Sequence, residues 1–285
     1  MSYCFFVSDL HGSISRYEKL FSKIEEELPS ILFLGGDILP PIFSSLPSND
    51  YNDFFEDILL KGFLKLKEKL GLSYPNVFLI LGNDDGTYEK HRIMHAEDLG
   101  VWNYIHNKKY ELNEYNIYGY NYVPPTPFRL KDWERYDVSR YVDPGCISPE
   151  EGKHSKKFEG NEIKYSTIQK DIEKLVQEED LYKSIFLFHA PPYKTKLDRA
   201  ALDGKMIDHV PLDVHVGSIA IKRFIENQQP LLTLHGHIHE SAEITGSWSD
   251  RIGSTYSLSA AHNSSELALV KFNLKSLDKS ERELI

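Results

Sequence analysis

Short, nearly unbroken apolar runs recur along the chain, with amphipathic stretches between them. Tyr3–Val7, Ile31–Leu34, Val77–Leu81, Ser184–Phe188 and Leu231–Leu234 are runs of this kind. A run that short and that apolar suits a strand buried on both faces. The stretches between them have a helical period. One helix is predicted through about Glu27, with Ile14, Tyr17, Leu20, Phe21 and Ile24 on one face and Pro29 closing it. A second runs from about Asp53 to Leu70, and a third, Glu162–Glu178, carries Ile163, Ile168, Ile172, Leu175 and Val176 at helical spacing. Ser218 then caps a helix that turns Ile221, Phe224 and Ile225 inward. Strands alternating with helices predict an α/β protein.

The remaining segments are less regular. Pro40–Tyr51 reads as a loop and Val101–Val123 as short strands. Residues from Pro124 to about Gly160 mix proline, glycine and many charges. They read either as a lid or, the favoured alternative, as a solvated insertion. Leu197–Val216 is loop-like, and the tail from Ala242 to about Asn273 alternates apolar and polar residues, predicting three strands of a second sheet. No repeat or linker interrupts the pattern, so residues 1–285 read as a single domain with an irregular insertion around 124–160.

The formal net charge of -10 over 285 residues narrows the partners. Duplex nucleic acid is an unlikely partner and an anionic membrane surface an unsuitable one, because both need a surplus of Lys and Arg. Cys4 and Cys146 form no disulfide framework. The first residues lack the basic and apolar regions of a signal peptide, and no run is long enough to span a membrane. The expected setting is the cytoplasm. Oligomeric state has no signal in the sequence.

Chemistry gathers where the apolar runs end. Tyr3–Val7 empties into Asp9-x-His11, Ile31–Leu34 into Gly36-Asp37, and Val77–Leu81 into Gly82-Asn83. Ser184–Phe188 ends at His189, and Leu231–Leu234 at His235-Gly236-His237-Ile238-His239. Ligand sites of α/β sheets lie just beyond the carboxyl ends of strands. Alone, Asp9, Asp37 and Asn83 would each be a helix or turn cap more often than a ligand. As a set with four histidines they suit Mn²⁺, Fe²⁺, Zn²⁺ or Co²⁺. Seven ligands exceed what one ion needs, and they fit two ions about 4 Å apart sharing one carboxylate. His235 reads as structural.

In these motifs the chain resembles the calcineurin-like metallophosphoesterase superfamily, whose pattern is D-x-H, G-D, G-N-H-[DE], a lone H and G-H-x-H. All five occur in order from Asp9 to His239. The segments H-A-P-P-Y-K-T-K-L-D and H-V-G-S-I-A-I further resemble Icc-related phosphoesterases. The resemblance implies a four-layer α/β/β/α sandwich, two mixed sheets flanked by helices. It also implies two divalent ions, Mn²⁺ or Fe²⁺ foremost, with Zn²⁺, Co²⁺, Ni²⁺ or Mg²⁺ as alternatives. Asp9, His11 and His239 would hold one ion, and Asn83, His189 and His237 the other. Asp37 would bridge them. The implied activity is phosphate-ester hydrolysis by a hydroxide between the ions, on small-molecule esters, with diesters such as cyclic nucleotides slightly favoured. The alternatives are a phosphomonoesterase acting on small molecules or phosphoproteins, and a catalytically weak metal-binding interaction module.

One position departs from the pattern. Where the third motif carries a histidine beside the leaving group, this chain has Asp84, followed by Asp85. Near two cations an aspartate stays ionised and repels a phosphate dianion, so Asp84 is expected to disfavour poor leaving groups. Tyr193, Lys194, Lys196 and Arg199 follow His189, and they read as contacts to phosphate or base, or else as a solvated basic loop. His215 reads as a supporting residue of the site or as packing.

Overall fold

The computed structural model describes residues 3–41, 53–157, 160–176 and 180–285. Most of the Pro40–Tyr51 loop and the end of Glu162–Glu178 therefore lie outside the described residues. In chain order the strands are β1 (Tyr3–Val7), β2 (Ile31–Gly35), β3 (Asn76–Ile80), β4 (Asn103–Tyr104), β5 (Lys108–Leu112), β6 (Tyr115–Tyr120) and β7 (Ser184–Phe188). They continue with β8 (Met206–Ile207), β9 (Val210–Pro211), β10 (Leu232–His235), β11 (Ser249–Ile252), β12 (Thr255–Ser259), β13 (Ala268–Asn273) and β14 (Glu281–Leu284). The α-helices are α1 (Ile14–Glu27), α2 (Lys61–Leu70), α3 (Lys90–Asp98), α4 (Gly160–Tyr165), α5 (Ile168–Val176), α6 (Ile219–Gln228) and α7 (Ser241–Thr245).

Two six-stranded mixed sheets result, ordered β14-β13-β1-β2-β3-β4 and β11-β12-β10-β7-β6-β5. The reason lies in the apolar runs. Along β1, Cys4 and Phe6 face one way while Phe5 and Val7 face the other. Cys4, Phe6, Ile31, Phe33, Phe78 and Ile80 of the first sheet meet Ile117, Ile185, Leu187, Leu232 and Leu234 of the second, forming the layer between sheets. The alternate residues pack outward, Phe5 and Leu32 with Tyr17 and Leu20 of α1, and Phe186 and Phe188 with Phe224 of α6. Each central strand is thus covered on both faces, and the sandwich has the four layers expected.

The structure corrects several details. The tail does not form three strands of one sheet. β11 and β12 extend the second sheet, whereas β13 crosses to pair antiparallel with β1, and β14, which sequence reasoning missed, pairs with β13. Helix α3 was also missed. The predicted helix from Asp53 opens with a π-helical segment, Phe55–Leu60, before α2. The Glu162–Glu178 helix is broken between α4 and α5.

Residues 124–157 contain only isolated bridges; residues 130–136 are buried, whereas most of 139–157 are exposed or half-buried. Lys131 and Glu134 form a fully buried ion pair, and Trp133 and Tyr136 are buried. Asp137 accepts from the Ser218 hydroxyl (2.6 Å) and from the N–H groups of Ile219 (2.6 Å) and Ala220 (3.2 Å), completing the amino-terminal cap of α6. Ser218 itself accepts from the Ile221 N–H, as its sequence predicted.

Parallel register brings the strand ends level. Val7 pairs with Leu34 and Gly35 with Ile80 in one sheet, and Leu187 with Leu234 in the other. Beyond these ends Asp85, fully buried, gathers two loops. Its carboxylate accepts from the N–H groups of Gly82 (2.8 Å), Leu39 (2.8 Å) and Ile38 (3.2 Å). Asp85→Ala leaves three buried donors unpaired, each costing about 1–3 kcal/mol. The expected loss is at least about 3 kcal/mol, read as a lower urea midpoint, and a midpoint within error of wild type would refute this role.

Candidate metal centre

The carboxyl ends of β1, β2 and β3 face those of β7 and β10, and seven predicted ligands converge there. Asp9, His11 and His239 form one group of donor atoms and Asp37, His189 and His237 a second. In the first, His239 Nε2 lies 3.2 Å from Asp9 Oδ1 and 3.1 Å from His11 Nε2. In the second, His189 Nε2 lies 3.1 Å from Asp37 Oδ2 and 3.2 Å from Asn83 Oδ1. Asp37 Oδ2 is also 4.0 Å from His11 Nε2, which places this carboxylate between the groups.

The backbone is bent to make this possible. Asp9, His11, Asp37 and His237 all have positive φ, between 45° and 74°. Non-glycine residues rarely take that conformation, and strained backbone of this kind clusters at functional sites. Glycines beside them leave room for the donors. A Cβ on Gly82 would stand 2.3 Å from Asp37 Oδ1, and one on Gly236 would stand 2.6 Å from Asp9 Oδ2.

Hydrogen bonds fix which atoms face inward. His189 Nδ1 is 2.8 Å from the Gly35 carbonyl, so it carries a proton there and Nε2 faces Asp37 and Asn83. The His237 N–H donates to both oxygens of Asp9, the Ser8 hydroxyl to Asp9 Oδ2, and the Asp84 N–H to Asp37 Oδ1 (2.8 Å). Burial opposes ionisation of Asp9 and Asp37, yet the histidines beside them hold both carboxyls below the ordinary range. Burial likewise opposes charge on His189, but Asp37 outweighs it and lifts the ring to about 10. Burial keeps His237 neutral, lowered to about 3. Asp84 is raised to about 7 by burial and then by Asp37. Buried carboxylates beside His237, held neutral, and His189, held protonated, form a donor set suited to divalent cations that displace that proton.

The other predicted residues lie apart from this cluster. Arg199 is engaged within its own loop, by Asp203 and the Ala200 carbonyl, and Lys194 Nζ sits 5.1 Å from the centre of the Tyr193 ring. Tyr193 donates to Asp213 (2.6 Å), and His215 Nδ1 is 2.9 Å from Asp198. Asp198 was missed in the sequence. Buried, it accepts from the N–H groups of Lys194, Thr195 and Gly217 and so shapes the loop after His189. Tyr193 and His215 line a cavity of about 240 Å³, closed on its other side by Pro125, Asp143 and Cys146. His235 bonds the Ala190 carbonyl and Thr233 and stacks on Phe188, which is the structural role expected of it.

Two outcomes follow. His189 loses its proton when a cation takes Nε2, so Mn²⁺ affinity should rise about tenfold per pH unit between pH 7 and 9. Calorimetry in buffers of different ionisation enthalpy reads the released proton, and a pH-independent affinity would contradict the arrangement. His235 is held neutral by burial, with its pKa lowered to about 4. Its contribution is present above about pH 6.5 and is lost as the pH falls toward 4, a loss worth about 3 kcal/mol. In His235→Gln the decline in stability over that window should shrink, as followed by denaturation at several pH values.

The family model for calcineurin-like phosphoesterases matches residues 4–241. No curated protein matches the sequence at the level of a relative. Among solved structures, a Thermus thermophilus protein is 15% identical with a TM-score of 0.57, covering 99% of this chain and 98% of that one. A dimetal phosphatase from Danio rerio is 10% identical with a TM-score of 0.51, covering 95% and 93%. Phosphopantetheinyl hydrolase from Mycobacterium tuberculosis is 11% identical with a TM-score of 0.50, covering 91% and 89%. These similarities are of fold. With the family match spanning most of the chain and the donor cluster at its strand ends, the chain belongs to the calcineurin-like phosphoesterase family and is a metal-dependent phosphoester hydrolase.

Proposed function

We propose that this protein is a cytoplasmic binuclear phosphoesterase that hydrolyses small-molecule phosphate esters, with diesters ahead of monoesters. The observation that carries the reading is the pair of donor groups flanking Asp37. Asp9, His11 and His239 would hold one ion, Asn83, His189 and His237 the other, and Asp37 would touch both. Mn²⁺ or Fe²⁺ suits the mixture of carboxylate, imidazole and amide donors. When bound, such ions supply Lewis-acid charge and make water a nucleophile near neutral pH.

The chain's own residues supply the rest. His189 is oriented through Nδ1 by the Gly35 carbonyl, and the His237 backbone is tied to Asp9. With cations bound, Asp84 beside Asp37 would be ionised and would favour the single charge of a diester over the dianion of a monoester. For the organic part of the ester we propose the cavity between residues 124–146 and 193–219, with Tyr193 and His215 on its wall. His189 and Tyr193 are four residues apart, so the cavity begins within about 14 Å of a ligand. At about 240 Å³ it suits a fragment of substrate rather than the whole, since pockets for complete ligands run to about 300–1,000 Å³. Asp143 and Asp213 on its rim disfavour a second anionic group. Lys194 remains a candidate for phosphate contact, whereas Arg199 would first have to leave Asp203.

The test is hydrolysis of bis-p-nitrophenyl phosphate and p-nitrophenyl phosphate by chelator-stripped protein resupplied with Mn²⁺. Turnover should depend on the ion, fall to the stripped level in Asp37→Ala, and be faster on the diester. A faster monoester would make the protein a phosphomonoesterase. Bound metal without turnover on either ester would favour the interaction module.

A further inference from the structure

Asp84 occupies the place where the family pattern has histidine, and its surroundings give it a different task. Its two carboxylate oxygens point to ligands of different ions. Oδ1 accepts from Asn83 Nδ2 at 3.1 Å. That bond orients the amide so that Asn83 Oδ1 turns to the second donor group, 3.2 Å from His189 Nε2. Oδ2 lies 3.7 Å from His11 Nδ1. The other ring nitrogen of His11, Nε2, faces the first donor group, 3.1 Å from His239 Nε2. His11 Nδ1 is buried and, among the described residues, has no hydrogen-bond partner. A buried ring nitrogen without a partner is costly, and a metal-ligating histidine almost always donates its other N–H to a carboxylate, carbonyl or water.

We propose that Asp84 is a positioning residue that clamps one ligand of each ion, Asn83 through Oδ1 and His11 through Oδ2. This rests on the binuclear reading above. At 3.7 Å the His11 contact is too long for a hydrogen bond, and a shift of under about 1 Å closes it. The Asp84 backbone is already pinned, because its N–H donates to Asp37 Oδ1, so closure needs only side-chain rotation. A carboxylate can accept at both oxygens at once. A neutral histidine offers one acceptor nitrogen, so the family's usual residue could serve one ligand but not both. Asn83 and His11 are brought by different strands, β3 and β1, and Asp84 ties the two strand ends together across the site.

The experiment measures Mn²⁺ binding by calorimetry on the full chain, with Asp84→Ala and Asp84→Asn beside wild type, and follows His11 Nδ1–H by ¹⁵N NMR in the Zn²⁺-loaded protein. Asp84→Ala should weaken both ions by roughly 10–100-fold and abolish the hydrogen-bonded Nδ1–H signal. Asp84→Asn keeps one acceptor oxygen, so it should restore affinity for one ion and leave the other weak. Unchanged affinity in Asp84→Ala, or equal losses at both ions in Asp84→Ala and Asp84→Asn, would overturn the clamp. Two ions bound normally in wild type and in Asp84→Ala would leave the phosphoesterase reading standing. No ion bound by wild type would remove both.

Discussion

Two carboxylates, Asp9 and Asp37, are ionised in the interior where the sheets converge, each almost fully buried. An isolated buried carboxylate is unfavourable by several kcal/mol, so each must be matched by donors or cations. The fold supplies those donors from both sheets. Backbone N–H groups of His237 and Asp84 reach the carboxylates, and rings from β7 and β10 face them. That requirement accounts for the unusual backbone. Loops that must turn a donor back toward a neighbouring strand end adopt positive φ at the ligands themselves and place glycine where a side chain would fill the cluster.

A second set of buried acidic side chains ties down the loops around the donor cluster. Asp85 gathers the loops after β2 and β3, Asp198 the loop after β7, and Asp137 the start of α6. Each accepts several backbone N–H groups that the irregular loops would otherwise leave unpaired. Asp84 belongs to neither set. It is half turned to solvent, yet each of its oxygens faces a ligand.

Much of the centre was legible in the sequence because central parallel strands are apolar on both faces and end abruptly. The change from Phe188 to His189 marks the end of β7 as the structure does, while β10 runs one residue past Leu234, through His235, before Gly236. What was hidden has physical reasons. Helix α3 buries only Ile93 and Ala96, too few to set a period. The crossing of β13 to β1 depends on a partner far away in sequence, which no local pattern encodes. Residues 124–157 looked solvated because their charges are many, but Lys131 and Glu134 satisfy each other inside the protein. The loop basic residues after His189 looked like phosphate contacts, and for Arg199 the nearby Asp203 claimed the charge.

Asp9 and His239 touch although 230 positions separate them, and Asp37 meets His189 across 152. Contacts of such long separation close late in folding, after the loop entropy between them has been overcome. The groups Asp9–His11–His239 and Asp37–His189–His237 each draw donors from both halves of the chain, from the strand ends of β1 and β2 and from those of β7 and β10. A binuclear centre of the kind proposed would therefore exist only in the closed sandwich, and a nascent or misassembled chain would carry the residues of a hydrolase without its reactivity.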